Sequence, residues 1–217
     1  MEIIIASQKT KNTTRLMDKA VRILKQHFCD KDSCFEPITQ ERFGVKDTAG
    51  KVSVMVSFQS AESQFDVCNV CAQMTTFLKI DNCLFSDGDD SKCDFGLSSD
   101  VELILVELKI IEPKDGWQTR KDTHKQRKNK RKESYEQLAN TLNIFATNNI
   151  LEQLLSQGIN IIAIASVFDH NEKQKIPATT SSSQDQIAFF TEEYTAELLV
   201  GHRYPPDKKC TCNLQNI

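Results

Sequence analysis

The chain has 217 residues, enough for one sizeable hydrophobic core, and a net charge of -3 that does not by itself indicate a nucleic-acid partner. No apolar run approaches the roughly 20 residues of a membrane-spanning helix, which argues against a membrane protein of that type. The apolar run at residues 1–6 is too short and wrongly charged for a secretory signal. We therefore expect a cytoplasmic protein with a single domain over residues 1–217.

The eight cysteines are numerous for such a protein. In a reducing compartment, free thiols or metal ligands are expected rather than disulfides. Cys68 and Cys71 have the spacing of a zinc-ligand pair, and Cys83 and Cys93 follow at plausible distances. A structural Zn²⁺ site is one interpretation, although the second pair lacks that spacing and Cys71 also fits an apolar helical stripe.

The first third of the chain predicts one helix and one strand. Residues 13–28 carry apolar side chains at helical spacing, which indicates a helix that packs on the core. Residues 29–50 are polar and predict irregular structure, whereas residues 51–58 alternate apolar and polar side chains as a half-buried strand does. The apolar positions of residues 63–80 fit a helical stripe better than alternation.

A charged pair ends the most hydrophobic stretch of the chain. Residues 101–108 are apolar on both alternating faces, which predicts a strand buried on both sides. Glu107 and Lys109 end this strand, and their spacing of two points both side chains to the same face. Just upstream, residues 93–97 read as a second short strand, and residues 98–100 form the turn between the two strands. If the two strands form a hairpin, Asp94 lies near Glu107 and Lys109.

The downstream pattern predicts a crossover connection. Residues 133–146 and 150–157 are expected to form two helical pieces that end at Gly158, and residues 159–168 form another strand buried on both faces. A buried strand, a helix and a second buried strand predict a right-handed βαβ unit with parallel pairing.

A basic segment precedes this helix. Residues 120–132 contain eight lysines and arginines against the single acid Asp122. The segment is either a solvated loop or a contact for an anionic partner, and its position places it near the charged strand end. The side chains expected to bind nucleic-acid phosphates are Lys121, Lys125, Arg127, Lys128, Lys130 and Arg131.

Three features together resemble the PD-(D/E)xK nuclease superfamily: an Asp on one strand, a Glu-x-Lys on the next strand, and a helix that bears Gln. Here these residues are Asp94, Glu107-Leu108-Lys109 and Gln137. The order of helix, three strands, helix and strand is similar to that superfamily's αβββαβ core, a restriction-endonuclease-like α/β fold whose mixed central sheet is flanked by helices. The resemblance covers about residues 53–168, with residues 13–28 packed on this core and residues 169–217 as an extension.

The resemblance implies a role for each of these side chains. Asp94 and Glu107 are expected to ligate Mg²⁺ or Mn²⁺, for which hard carboxylate oxygens are suitable ligands. Lys109 is expected to orient or activate the attacking water and to offset charge on the phosphate. Gln137 is expected to help position Lys109, the metal or the nucleic-acid backbone. The sequence leaves open whether Lys109 acts as a donor or as a base.

The superfamily often adds an acid from its first helix, and the candidates here are Asp18, Glu41 and Glu62. Taken singly, the other site residues have plain structural interpretations: Asp94 as a turn cap, the Glu107–Lys109 pair as a surface ion pair, and Gln137 as a solvent-facing side chain. Only their combination indicates a site.

The expected function is that of a metal-dependent nuclease that acts on DNA in preference to RNA, in a bacterial or mobile-element defence system. Pairing into a homodimer or with a protein partner is compatible with this function. One alternative is a non-catalytic immunity or adaptor protein that keeps the fold. Another is a small zinc-stabilised binding protein.

Overall fold

The computed structural model describes residues 17–48, 52–69, 73–85, 92–111, 120–169, 181–201 and 203–204. Its helices are α1 (Lys19–His27), α2 (Arg120–Thr147), α3 (Ile150–Ser156) and α4 (Ser181–Tyr194). Its strands are β1 (Phe35–Pro37), β2 (Arg42–Lys46), β3 (Val54–Val56), β4 (Phe65–Cys68), β5 (Thr76–Lys79), β6 (Phe95–Ser98), β7 (Glu102–Ile111), β8 (Asn160–Asp169), β9 (Ala196–Val200) and β10 (Arg203–Tyr204).

The strands form two sheets. The main sheet has six strands in the order β1-β5-β6-β7-β8-β9, and the second sheet has four in the order β10-β4-β2-β3. In the main sheet β1, β5, β6 and β7 pair antiparallel, while β7, β8 and β9 pair parallel. The fold is thus mixed α/β with a mixed sheet flanked by helices, and the predicted parallel pairing of β7 with β8 is confirmed. Among the described helices, none is both long and apolar enough to cross a membrane.

The main sheet is buried on both faces because helices cover one and the second sheet covers the other. On the helix face, Leu103 and Leu105 pack with residues of all four helices. On the opposite face, Ile104 and Val106 pack with residues of β2 and β4. The prediction that this strand is buried on both sides is confirmed, and the alternation of β7 fixes which of its side chains point toward the helices.

The N-terminal helix and the helical break were located well by the sequence. The described part of residues 13–28 forms α1, whose start is capped by the Asp18 carboxylate, which accepts a hydrogen bond of 2.8 Å from Val21 N. Asn149 has a φ of 60° between α2 and α3, and Gly158 has a φ of 73° after α3. Both residues adopt the left-handed conformation that interrupts or ends a helix.

The helix expected within residues 63–80 is wrong, since the described part forms the strands β4 and β5. Phe65 and Val67 are buried while Asp66 is half-buried, so β4 has the alternation of a strand. The stretch expected to be irregular, residues 29–50, contains β1 and β2. Both errors have one cause, because short strands in a two-sheet packing carry too few residues to establish a period.

The strand expected at residues 51–58 exists as β3, but it belongs to the second sheet. The basic segment is helical from Arg120 onward rather than a loop before a helix at residue 133. Lys, Arg, Gln and Glu are good helix formers, and Lys130–Glu133 and Lys132–Glu136 form ion pairs at one-turn spacing.

Candidate functional site

Asp94 and Glu107 lie opposite each other at one end of the hairpin formed by β6 and β7. The register pairs Phe95 with Val106, so the next position pairs Asp94 with Glu107. Asp94 N donates to Val106 O at 3.1 Å, and Leu108 N donates to Asp94 Oδ2 at 2.5 Å. Because Glu107 follows Leu103 and Leu105 at spacings of two, its side chain points to the helix face of the sheet. The structure therefore brings together the two carboxylates that the sequence predicted to meet.

Glu107 is a fully buried acid with few partners. Its exposed fraction is 0%, and its Oε2 accepts no hydrogen bond. Lys109 Nζ lies 2.5 Å from Glu107 Oε1, so the amine is the partner of that oxygen. An ionised carboxylate in such surroundings is costly unless positive charge compensates it.

The burial of both acids disfavours their charged forms. Burial, with smaller contributions from nearby acids including Asp47, raises the pKa of Asp94 to about 7, although the hydrogen bond from Leu108 opposes this shift. Burial and then the negative charge of Asp94 raise the pKa of Glu107 well above its ordinary range. A positive ion between the two carboxylates would favour their charged forms.

Lys109 lies on the same face as Glu107 and interacts with several acids. Burial lowers the pKa of its amine, but Glu107, Asp94 and Glu133 outweigh burial, so the net shift is upward. Glu133 is in turn paired with Lys130, at 2.9 Å. A lysine held in its protonated form is a hydrogen-bond donor and a positive charge rather than a base.

Gln137 lies on the part of α2 that packs against this end of the hairpin. Cys93 N donates to the Thr141 hydroxyl at 2.9 Å, and Cys93 directly precedes Asp94. Glu133, which acts electrostatically on Lys109, lies one turn before Gln137, and Thr141 lies one turn after it. Residues four apart share one face of a helix, so Gln137 faces the site between these two contacts.

Two acids near the site were missed by the sequence analysis. Asp81 follows β5, and its backbone N donates to Asp94 O at 3.2 Å. Asp47 follows β2, and its negative charge acts on Asp94, Glu107 and Lys109. Each lies just after a strand that the sequence did not predict, so the rule that functional side chains follow strand ends could not have found them.

The three acids offered as the extra acid of the first helix do not reach the site. Asp18 is buried at the opposite end of β6, where its carboxylate accepts hydrogen bonds from Ser98 and Thr76 at 2.9 and 3.1 Å. Four residues of strand separate Ser98 from Asp94, or about 13 Å. Glu62 is exposed and pairs with Lys46, and Glu41 is exposed.

The four-cysteine zinc site does not form. Cys83 is joined to Cys34 in a disulfide, because the pairing of β1 with β5 brings together residues 49 positions apart in sequence. Cys68 is also disulfide-bonded, whereas Cys93 is a buried free thiol, and Cys71 lies outside the described residues. A disulfide sulfur is not a thiolate ligand, so the expectation of a zinc site and of free thiols is wrong for Cys83 and Cys68.

Within the described ranges, no group of three or more His, Cys, Asp or Glu side chains is arranged to hold a metal ion. Asp94 and Glu107 thus form a two-carboxylate set.

Comparisons of the chain with protein-family models, curated proteins and solved structures found no match in any of the three. The likeness to PD-(D/E)xK nucleases therefore depends on the residues and the strand order described above.

The basic half of α2 carries no fully buried side chain among its described residues. In the described side chains of this helix every buried residue is at or after Ser134, and none lies between residues 125 and 133. Lys125 and Lys128 are exposed, and Arg127, Lys130 and Arg131 are half-buried; the side chain of Lys121 lies outside the described residues. The 14 residues from Arg120 to Glu133 span about 21 Å along the helix axis. This basic arm of α2 follows β7 in the chain, the strand that carries Glu107 and Lys109.

Proposed function

We propose that this protein is a metal-dependent nuclease that hydrolyses phosphodiester bonds, with DNA preferred over RNA. The observation that carries the proposal is the position of Asp94 opposite Glu107, whose buried Oε2 accepts no hydrogen bond and whose Oε1 is paired with the amine of Lys109. Metal-dependent hydrolysis of a phosphodiester bond uses such groups: two acids and one lysine, here at the end of an antiparallel hairpin.

The strand order supports a restriction-endonuclease-like core. The elements α1, β5, β6, β7, α2 and β8 follow the order αβββαβ, with β5, β6 and β7 antiparallel and β8 parallel to β7. Strands β1 to β4 stand between α1 and β5 as an insertion. The first strand of the core is therefore assigned to β5 rather than to residues 51–58.

The residues present fit a divalent cation. Glu107 offers one buried oxygen without a hydrogen-bond donor and a second that is paired with Lys109, and Asp94 lies opposite with one oxygen already held by Leu108 N. Mg²⁺ in proteins is commonly held by one or two carboxylates and keeps several waters, so a two-carboxylate set is sufficient. When bound, such an ion supplies a more acidic water and stabilises negative charge that develops on the phosphate.

Lys109 and Gln137 act on the phosphate and its surroundings. The protonated amine of Lys109 donates to a non-bridging phosphate oxygen, which offsets charge as the bond to the attacking water forms. Gln137, on the helix face that carries Glu133 and Thr141, orients Lys109 or the nucleic-acid backbone. Lysines and arginines of the basic arm of α2 bind backbone phosphates next to the scissile bond.

A cleavage assay tests this proposal. The purified chain of 217 residues with Mn²⁺ is expected to cleave supercoiled plasmid, and cleavage is expected to stop with a chelator. Glu107→Gln and Lys109→Ala should abolish cleavage while the protein stays folded. Lys79→Ala is a matched control, because Lys79 and Glu36 form a 2.9 Å ion pair between two other strands of the same sheet. Absence of metal-dependent cleavage by the wild-type protein on both DNA and RNA would refute the proposal.

The ion pair between Lys109 and Glu107 favours one competing function. A cation must share Glu107 with the amine 2.5 Å away, and a pair that stays closed is a structural element of a non-catalytic adaptor. The adaptor predicts no metal-dependent cleavage and partner binding that survives Glu107→Gln and Lys109→Ala.

A further inference from the structure

Thr141 is a polar side chain that lies completely inside the protein, within α2. Its exposed fraction is 0%, as is that of Leu142 beside it. The Thr141 hydroxyl accepts a hydrogen bond of 2.9 Å from Cys93 N and donates one of 3.1 Å to Gln137 O. One hydroxyl therefore connects the backbone just before Asp94 with the backbone of Gln137.

The bond from Cys93 N satisfies a buried backbone group at the entrance to β6. Cys93 is completely buried, and it precedes the first residue of β6 by two positions. A buried N–H without an acceptor is costly, so this position needs a partner. The helix supplies that partner, and the segment that carries Asp94 is thereby attached to α2.

This hydrogen bond selects the position of α2 on the sheet more strictly than apolar contacts do. Leu138 and Leu142 pack in the helix-face core with Leu103 and Leu105 of β7. Apolar contacts are non-directional, so they favour burial of this helix face without a strong preference for one position along the helix axis. A hydrogen bond weakens steeply when its angle changes. The Thr141 bond therefore fixes where α2 lies along the hairpin.

The position of Gln137 follows from the same bond. Gln137 lies four residues before Thr141 on the same helix face, or about 6 Å along the axis. Glu133 lies one turn earlier on that face, and it acts electrostatically on Lys109. The turns between Glu133 and Thr141 thus meet the end of the hairpin that carries the site, and a shift of the helix would move the Gln137 side chain away from it.

We propose that Thr141 is a positioning residue of the nuclease site and acts through Gln137. This inference rests on the proposed function, because it names a residue that aligns part of the same site. Thr141 is buried and bonded to backbone on both sides, so its hydroxyl acts by holding Gln137 where that side chain orients Lys109 or the nucleic-acid backbone. A misplacement of about 1 Å is enough to lower a rate by up to about 100-fold.

The test is the single-turnover rate constant for cleavage of a short DNA duplex by the 217-residue chain with Mn²⁺. Thr141→Val keeps the shape of the side chain but removes the hydroxyl, and it is expected to lower this rate constant by about tenfold. Thr141→Ser keeps the hydroxyl and is expected to retain the rate constant within about twofold. The affinity for the duplex in a chelator, which depends on the basic arm, is expected to stay unchanged in both variants.

Thr191→Val is the matched control. Thr191 is exposed on α4, and its hydroxyl donates to Ile187 O at 2.9 Å, the same kind of bond that Thr141 makes to Gln137 O. The control removes a helical hydroxyl far from the hairpin in sequence, and its rate constant should equal that of the wild type. Thermal melting in a chelator checks folding. If Thr141→Val does not fold, Thr141→Ala replaces it, because Ala places no methyl group against Cys93 N.

A double variant tests the route through Gln137. Gln137→Ala is expected to lower the rate constant by about tenfold or more, and the addition of Thr141→Val should then lower it no further, because the two residues act as a unit. Two independent losses that multiply would overturn the inference. A wild-type rate constant for Gln137→Ala would also overturn it.

The outcomes separate this inference from the proposed function. A folded Thr141→Val with a lower melting temperature but a wild-type rate constant refutes only the positioning role, and the nuclease proposal stands. If neither Thr141→Val nor Thr141→Ala folds, the role of the hydroxyl is structural and the inference is wrong. A wild-type chain that cleaves neither DNA nor RNA with Mn²⁺ refutes both proposals.

Discussion

The backbone N–H of Leu108 donates a 2.5 Å hydrogen bond to the Asp94 carboxylate, and this bond joins the start of β6 to the strand that carries Glu107 and Lys109. The main chain of the next strand thereby holds one oxygen of Asp94 in place. The position of this acid therefore does not depend on a flexible side chain. The hydrogen bonds between the strands therefore preorganise the two carboxylates. A preorganised pair can bind a cation without a large free-energy cost for ordering its side chains.

The metal-free protein is expected to lose stability as pH rises from about 4 to about 7. The pKa of Asp94 is raised from 3.8 to about 7 and that of Glu107 is also raised, chiefly by burial, so the folded state binds protons that the unfolded state releases. The stability that these protons provide is complete below the unfolded pKa values and is lost as pH rises through the folded ones. Each tenfold difference in proton affinity is worth about 1.4 kcal/mol.

Urea unfolding in a chelator, repeated across this pH range, measures the effect. Asp94→Asn should flatten the profile, since its side chain does not titrate, and Mn²⁺ should restore stability near neutral pH in the wild-type protein. A wild-type profile that is flat or rises with pH between about 4 and about 7 would contradict the predicted protonation of the buried acids.

The basic arm of α2 is expected to bind nucleic acid through phosphates. The double variant Lys125→Gln, Lys128→Gln should weaken duplex binding, because both lysines are exposed on this arm. The slope of log affinity against log salt should become shallower by roughly 0.9 for each phosphate that the variant no longer neutralises. Fluorescence anisotropy with a labelled duplex in a chelator measures both quantities without cleavage.

The control for this prediction is Arg22→Gln, which removes an exposed charge of the same sign from α1. It should leave the affinity and the salt slope unchanged. Equal effects of the α1 and α2 substitutions would mean that α2 has no special role in binding.

The disulfide between Cys34 and Cys83 is expected to stabilise the fold. It closes a loop between residues 49 apart in sequence and connects the start of β1 to the turn after β5. In the chain-entropy view a loop of this length is worth about 4 kcal/mol, through restriction of the unfolded state. The Cys34→Ala, Cys83→Ala variant should therefore unfold at lower urea than the wild type, and a midpoint equal to that of the wild type would refute this prediction.

The central hairpin could be predicted because its signal is local. Residues 101–108 are apolar on both faces and end in charged residues two apart, so burial and side-chain direction follow from the alternation alone. The same local logic located the break at Asn149 and the end of α3 at Gly158. Asp94 could be predicted because a short turn separates its strand from the strand it pairs with.

The rest of the site depends on pairings that are distant in sequence. Asp81 lies beside Asp94 because β5 pairs with β6, and Asp47 acts electrostatically on Asp94 from the end of a strand of the second sheet. Those strands have three to five residues, too few to show a period. The disulfide of Cys83 likewise depends on the pairing of β1 with β5, which no cysteine spacing indicates.

The central claim is that one divalent cation is held between Asp94 and Glu107. Crystals grown with Mn²⁺ and measured near the manganese absorption edge test it directly, because anomalous scattering locates the ion without assumptions about chemistry. We predict one strong peak about 2.0–2.3 Å from a carboxylate oxygen of each residue. The absence of a peak there, or one at a different set of side chains, would contradict the account.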